Sequence, residues 1–242
     1  MTGWWLPPAI SRHAAAYDAQ FTRTLIAACI IFGAAQCALL AIVYRFRARR
    51  NAPEPTGAIH SSRLEAILTI TTAVLFLGLL AWGGRIWAGV QFTSAPPDAE
   101  VIEVLGKQFS WAFRYPGPDG RFGRTDIRLI NDAAANPFGL DPDDPAGKDD
   151  VMTATLRVPA GRPVNLLLNS VDVIHSFFVR ELRMKQDLVP GMRIPFHFVA
   201  DVPGTYEIPC AELCGLGHAQ MRATMIVLQP AEYERWQREQ SQ

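Results

Sequence analysis

Charge is what the first part of this chain lacks. No Asp, Glu, Lys or Arg occurs from Thr24 to Tyr44, nor from Ala66 to Gly84, and each gap is long enough for a helix to cross a bilayer core of roughly 30 Å. An ordinary soluble surface is excluded for these stretches. Cysteine is scarce, with four in 242 residues. Cys29 and Cys37 lie inside the first apolar run, where a free cysteine behaves as a small hydrophobe, so only Cys210 and Cys214 need chemistry. No internal repeat is visible.

A positive balance is missing as well. The formal net charge of zero hides an asymmetry: residues 1–94 hold eight Lys/Arg against three Asp/Glu, and residues 95–242 hold fifteen against twenty, giving +5 and −5. A basic membrane anchor carries an acidic soluble domain. Such a domain repels nucleic acid and attracts a basic protein partner.

The opening segment 1–23 contains Trp4, Trp5 and the turn Leu6-Pro7-Pro8, a composition suited to the headgroup layer. The first apolar run ends in Tyr44-Arg45-Phe46-Arg47-Ala48-Arg49-Arg50, and Arg63 stands before the second. Five arginines against Glu54 place the loop at about 45–63 in the cytoplasm by the positive-inside rule. Residues 24–92 are thus predicted to form a transmembrane hairpin, with the N-terminus and everything after the second helix on the outer face. Positive charge after a long apolar core, rather than before a short one, favours an uncleaved helix over a secretory signal. Glu65, at the cytoplasmic start of the second run, has two readings: a snorkelling end residue or a proton entry point.

From Ala95-Pro96-Pro97 onward the chain becomes short β-branched or alternating stretches: Val101–Leu105, Phe109–Tyr115, Thr153–Val158, Val164–Leu168, Ile194–Val199, Thr205–Ile208 and Thr224–Leu228. Pro/Gly turns punctuate them, which predicts an all-β sandwich or barrel over residues 95–230. The stretch from Asn136 to Asp150 is turn-rich and acidic, a solvated loop with a docking surface as its second reading. Residues 231–242, after Pro230, predict a short surface helix. His13, His60 and His197 fit no motif, and alternation with Phe196 and Phe198 turns His197 toward solvent.

The chemistry concentrates in Cys210-Ala-Glu-Leu-Cys214-Gly-Leu-Gly-His218-Ala-Gln-Met221. Thiolate, imidazole and thioether together suit copper better than a hard cation, and the glycines permit a loop to curl around a metal. Zinc accepts His175, Cys210, Cys214 and His218 but leaves Met221 unexplained. A Cys210–Cys214 disulfide leaves the histidines unexplained, and a mononuclear blue-copper site has no use for a second cysteine. Two thiolates, two imidazoles and a thioether exceed one copper's needs and suit two coppers bridged by both sulfurs; zinc and the disulfide stay open. No position is left for substrate, so the centre relays electrons.

The pattern Cys-x-x-x-Cys-x-x-x-His-x-x-Met, with Asp172-Val-Ile-His175-Ser and Lys185-Gln-Asp187-Leu-Val-Pro190-Gly191, resembles the copper A signature of subunit II of the haem-copper cytochrome c oxidases. The resemblance covers nearly the whole chain and implies a two-helix transmembrane hairpin followed by a cupredoxin-like Greek-key barrel. It implies copper ligation by His175, Cys210, Cys214, His218, Met221 and the backbone carbonyl of Glu212, whose side chain would share a magnesium ion with subunit I. Electrons from cytochrome c would pass to haem in subunit I, with subunit III a further partner, in a bacterial inner membrane. Glu65, in Leu64-Glu65 followed by Thr69, matches a proton-channel mouth, although Leu68 and Thr72 stand where the family has Trp and Pro. Val104 to Pro116 matches the electron-entry segment with Trp111, but Phe109 takes the place of its usual tryptophan. Asp172 matches a donor-docking position. Alternatives are a copper A subunit of a haem-copper nitric oxide reductase and a stand-alone anchored copper carrier; the cysteine pair disfavours a quinol oxidase.

Overall fold

A computed structural model describes residues 6–47 and 61–240. Trp4, Trp5, Arg49, Arg50, Glu54 and His60, and with them most of the expected cytoplasmic loop, lie outside the described residues. The chain divides into two compact units, one of residues 16–92 and one of residues up to 15 together with those from 93 onward.

In the first unit, α1 (Ala14–Phe46) and α2 (Ser62–Gln91) are 33 and 30 residues long, or about 50 and 45 Å at 1.5 Å per residue. Both are long and apolar enough to cross a membrane. Ile30, Phe32, Leu40, Leu77 and Leu80 are exposed, the opposite of a soluble core helix and the condition of one that hydrocarbon covers. Gln20 Nε2 donates to the Leu79 carbonyl at 3.4 Å, and the Arg23 guanidinium lies 5.2 Å from the Trp82 ring. The start of α1 therefore faces the end of α2, making the pair an antiparallel hairpin.

The second unit is built on a five-stranded sheet in the order β3 (Val151–Thr153), β2 (Ser110–Tyr115), β1 (Glu100–Lys107), β5 (Pro163–Ser170), β8 (Ile194–Val199). β1 and β5 are parallel; the other pairs are antiparallel. A second sheet orders β4 (Thr155–Pro159), β10 (Arg222–Leu228) and β9 (Gly204–Pro209), and β6 (His175–Val179) pairs with β7 (Met184–Leu188) as a hairpin. Alternation on β5 sends Val164, Leu166 and Leu168 into a core shared with Phe196, Phe198, Met225 and Val227. β1, flanked on both sides, is buried from Ile102 to Gly106.

Three expectations change. The single strand expected at Thr153–Val158 breaks at Ala154 into β3 and β4, which join different sheets. The sheets do not close into a barrel: among the described residues the β6–β7 hairpin is linked to the end of β9 by an isolated bridge between Phe177 and Cys210, not by a ladder. Prolines stand at the ends of β4 and β9 and within edge strand β8, where the missing N–H stops a ladder from spreading. β6 and β7 were also not predicted, because His-Ser-Phe-Phe-Val and Met-Lys-Gln-Asp-Leu have little β-branching. Their turn carries Arg183 in the left-handed region at φ 60° where glycine would have signalled it.

Three further segments complete the unit. Residues 116–150 form a loop of short 3-10 turns capped by Asp126, Asn131 and Asp144. It is pinned by Arg114, which is buried between Phe122 and Phe138 and bonded to Glu103, Asp150 and the Gly123 carbonyl. Many of its carboxylates are engaged, Asp141 and Asp144 with Arg124 and Asp132 with Lys107. The segment before α1 forms a strap: Ile10 and Ser11 are buried, the Ile10 N–H donates to the Glu181 carbonyl at 3.0 Å, and Ser11 bridges Ala200. The tail forms α3 (Pro230–Gln240), docked by fully buried Tyr233 and by Trp236 against Tyr115. His197 is half-exposed between buried Phe196 and Phe198, as alternation predicts.

Candidate metal centre

Antiparallel pairing brings Pro209 opposite Arg222, so the residues between them leave the ladder as a loop. Its neck is closed by the Cys210 N–H donating to the Met221 carbonyl at 3.0 Å. Gly215 takes φ +131°, open to glycine but strained for other residues, and a 3-10 turn at His218–Gln220 returns the chain to β10. The loop folds inward on its own donors.

His175, Cys210, Cys214 and Met221 are buried, and the donor atoms of the first three lie within 4.8 Å of one another. The two sulfurs are 3.9 Å apart, about twice a disulfide bond of ~2.05 Å, so the cysteines are free. The remaining donors divide between them. Cys210 Sγ has His175 Nδ1 at 3.9 Å and the Glu212 carbonyl oxygen at 3.2 Å; Cys214 Sγ has His218 Nδ1 at 3.6 Å and Met221 Sδ at 3.8 Å. This is a copper-type set of His, Cys and Met donors. A buried thioether and a convergent carbonyl are surplus to tetrahedral zinc. Burial, and next the charge of Cys210, push the Cys214 thiol up to about 11, so metal binding must displace protons from the pair.

The ligands are oriented from behind. Asp172 Oδ1 lies 2.8 Å from His175 Nε2, which leaves Nδ1 facing the sulfurs. The same carboxylate accepts from the Gln108 N–H at 2.8 Å and the Val173 N–H at 2.7 Å. Burial raises its pKa, but these hydrogen bonds together hold it below the usual carboxylate range. Gly106 lets the imidazole in: a Cβ there would stand 3.0 Å from His175 Cδ2.

Phe109 and Trp111 differ in exposure. Trp111 is buried, with its ring 6.1 Å from His175. Phe109 is 39% exposed and lies over the loop so closely that a Cβ on Gly217 would collide with its ring. Gln108 Nε2 donates to the Cys214 carbonyl at 2.5 Å. Glu212 points its carboxylate outward, 3.6 Å from Lys185 Nζ. Glu65 stands in the first turn of α2, in the other unit. The supporting residues Gly106, Gln108, Ser176 and Asp187 were not assigned roles from sequence. All four lie within the quoted motifs, two of them beside assigned residues, but the cross-strand pairing that gives them partners is invisible there.

Residues 100–229 match the family model described as cytochrome c oxidase subunit II, periplasmic domain. The chain is 39% identical over 242 residues to an alternative cytochrome c oxidase subunit 2 of Bradyrhizobium diazoefficiens, covering 98% of this chain and 84% of that protein. It is 31% identical over 225 residues to a cytochrome c oxidase subunit 2 of Cereibacter sphaeroides, covering 89% and 72%. Among solved structures it is similar to the periplasmic domain of subunit II of the cytochrome oxidase of Bradyrhizobium japonicum. That likeness has 24% identity and a TM-score of 0.44, over 60% of this chain and 96% of the other.

Proposed function

This chain belongs to the cytochrome c oxidase subunit II family, and on that premise we propose that its soluble domain holds a binuclear copper A centre. That centre would take single electrons from a cytochrome c and pass them to haem in subunit I, where oxygen is reduced. The chain is a subunit of cytochrome c oxidase, part of a haem-copper oxidase complex, membrane-anchored with its β-domain in the periplasm. The observation that carries the copper reading is the sulfur pair: two free thiols 3.9 Å apart, each with its own imidazole and one further donor.

Residues 24–92 would be the inner-membrane hairpin, residues 95–230 the copper domain and 231–242 its closing helix. Both ends of that hairpin would lie on the outer side, as the arginine-rich loop between its helices implies. When bound, the copper pair supplies a site that gains and loses one electron. His175, Cys210, Cys214, His218, Met221 and the Glu212 carbonyl would hold it, and the rigid loop neck limits movement between the two states. Burial of the sulfurs shields the centre from solvent, which suits a relay.

Phe109 is the exposed contact over the loop and Trp111 the buried ring behind His175, so we assign electron entry to this turn. The Asp172 side chain is only 26% exposed and both its oxygens are engaged, so holding His175 comes first and donor docking second. The outward carboxylate of Glu212 would supply an oxygen ligand to a magnesium ion shared with subunit I. Glu65 serves as a proton-channel mouth, and subunit III completes the assembly. Purifying the complex through this chain tests the reading: subunit I with its haems should accompany it, and a chain isolated without any haem protein contradicts it.

A further inference from the structure

His175 and Cys210 are 35 residues apart and come from different hairpins, so something must hold the two hairpins in register. The backbone supplies one tie: Phe177 bridges Cys210, and the Ala211 N–H donates to the Ser176 carbonyl at 3.0 Å. Ser176 follows the ligand His175 directly and is fully buried. Its hydroxyl donates to Asp187 Oδ1 at 2.7 Å, across the β6–β7 register that sets the two residues opposite each other.

Asp187 does not stop there. Its Oδ1 also accepts from Lys185 Nζ at 2.9 Å, and that ammonium stands 3.6 Å from Glu212 Oε2. Lys185 and Asp187 alternate with Gln186 along β7 and so share a face. The contacts close a ring: β6 through Ser176 to Asp187, Asp187 to Lys185, Lys185 to the Glu212 side chain, and Ala211 back to Ser176. Glu212 is the residue whose carbonyl lies 3.2 Å from Cys210 Sγ. The ring therefore grips both residues that follow Cys210.

We infer that Asp187, acting through Ser176 and Lys185, is a positioning residue that fixes the Cys210–Glu212 turn against the strand carrying His175. An exposed ion pair alone contributes little, and the side chains of Lys185 and Glu212 are 42% and 46% exposed. The buried hydroxyl is the stronger link, since Ser176 without Asp187 is left with a buried donor unmatched. Asp187 thus sets where the Glu212 carbonyl points, and Lys185 trims it. The inference deepens the copper reading and rests on it for the metal.

The test uses the full-length chain in detergent, copper-free and copper-loaded, with Asp187→Asn, Lys185→Met and Ser176→Ala. In the copper-free chain, peptide-resolved mass spectrometry follows alkylation of Cys210 and Cys214 apart from Cys29 and Cys37. Asp187→Asn should raise the Cys210 rate roughly tenfold, the change expected when the Ser176 and Lys185 bonds to Oδ1 lose their anionic acceptor, and Lys185→Met should raise it less. After loading, both variants should shift the visible spectrum and the reduction potential, which general destabilisation would not do at full copper content. Ser176→Ala added to Asp187→Asn should change little, because the two act through one bond. Wild-type alkylation rate, spectrum and potential in both single variants, or additive effects of the pair, overturn the inference. If Asp187→Asn fails to fold, Lys185→Met decides alone. A wild-type chain that refuses copper sinks the metal reading instead, and the copper-free alkylation rates still judge the ring.

Discussion

Asp172 holds His175 by the nitrogen that faces away from the sulfurs, Oδ1 to Nε2 at 2.8 Å. That single bond fixes the tautomer with Nδ1 free to bind metal, and the carboxylate is itself fixed by the Gln108 and Val173 N–H groups. Asp172→Asn keeps the size but loses the charge. Copper affinity should fall by roughly 10–100-fold, measured by competition with a chelator, while thermal stability of the copper-free chain changes little.

The Phe109 ring and the Gly217 backbone share one space. Gly217→Ala places a methyl into that ring and should destabilise the loop by about 1–3 kcal/mol, the usual cost of overpacking. Phe109→Ala in the same chain should restore copper retention. A double-mutant cycle on copper release checks the coupling; additive losses would show that the ring is not what the methyl meets.

Arg114 is the interior cation of the β-domain, buried with Glu103 and Asp150. Arg114→Leu leaves Asp150 without its cation and Glu103 with Arg193 alone, which should cost about 3–5 kcal/mol. Chemical denaturation of the full-length chain measures it. Proteolysis should then cut first within residues 116–150, the segment that Arg114 pins.

Two histidines give the N-terminal strap a pH dependence. Burial, first among its causes, lowers the pKa of His13, and burial alone lowers that of His197. A histidine depressed in the folded state binds fewer protons there than when unfolded, so its contribution to stability is complete above the ordinary value of about 6.5 and falls as pH drops below it. Thermal melts of the wild type should lose ground between pH 7.5 and 5.5 as an expected outcome, and His13→Asn with His197→Gln should flatten that slope.

Most of the site was legible because its ligands cluster. Four of the donors sit within twelve residues, and a thiol surplus over any one-metal site is countable without coordinates. The β-strands were legible where β-branched alternation met Pro/Gly turns, as at Val164–Leu168 and Ile194–Val199. What stayed hidden depends on pairing between distant residues. Asp172 reads as an acidic surface position until the turn after β1 delivers the Gln108 N–H to it, and β6 with β7 lacked both the composition and the turn residues of a hairpin. The acidic stretch at 136–150 looked free until Arg124 and Arg114 were seen beside it. Closure of the sheets into a barrel cannot be read from strand composition at all, since it depends on which edges meet.

The central claim is that the two sulfurs are shared by two metals, and a count of metal per chain tests it most directly. The full-length chain, reduced, loaded with copper in detergent and desalted, should hold two coppers. In the oxidised form it should be purple, with an electron paramagnetic resonance pattern from one electron spread over two copper nuclei. One copper per chain with a blue spectrum, or tight zinc with copper excluded, would contradict the account.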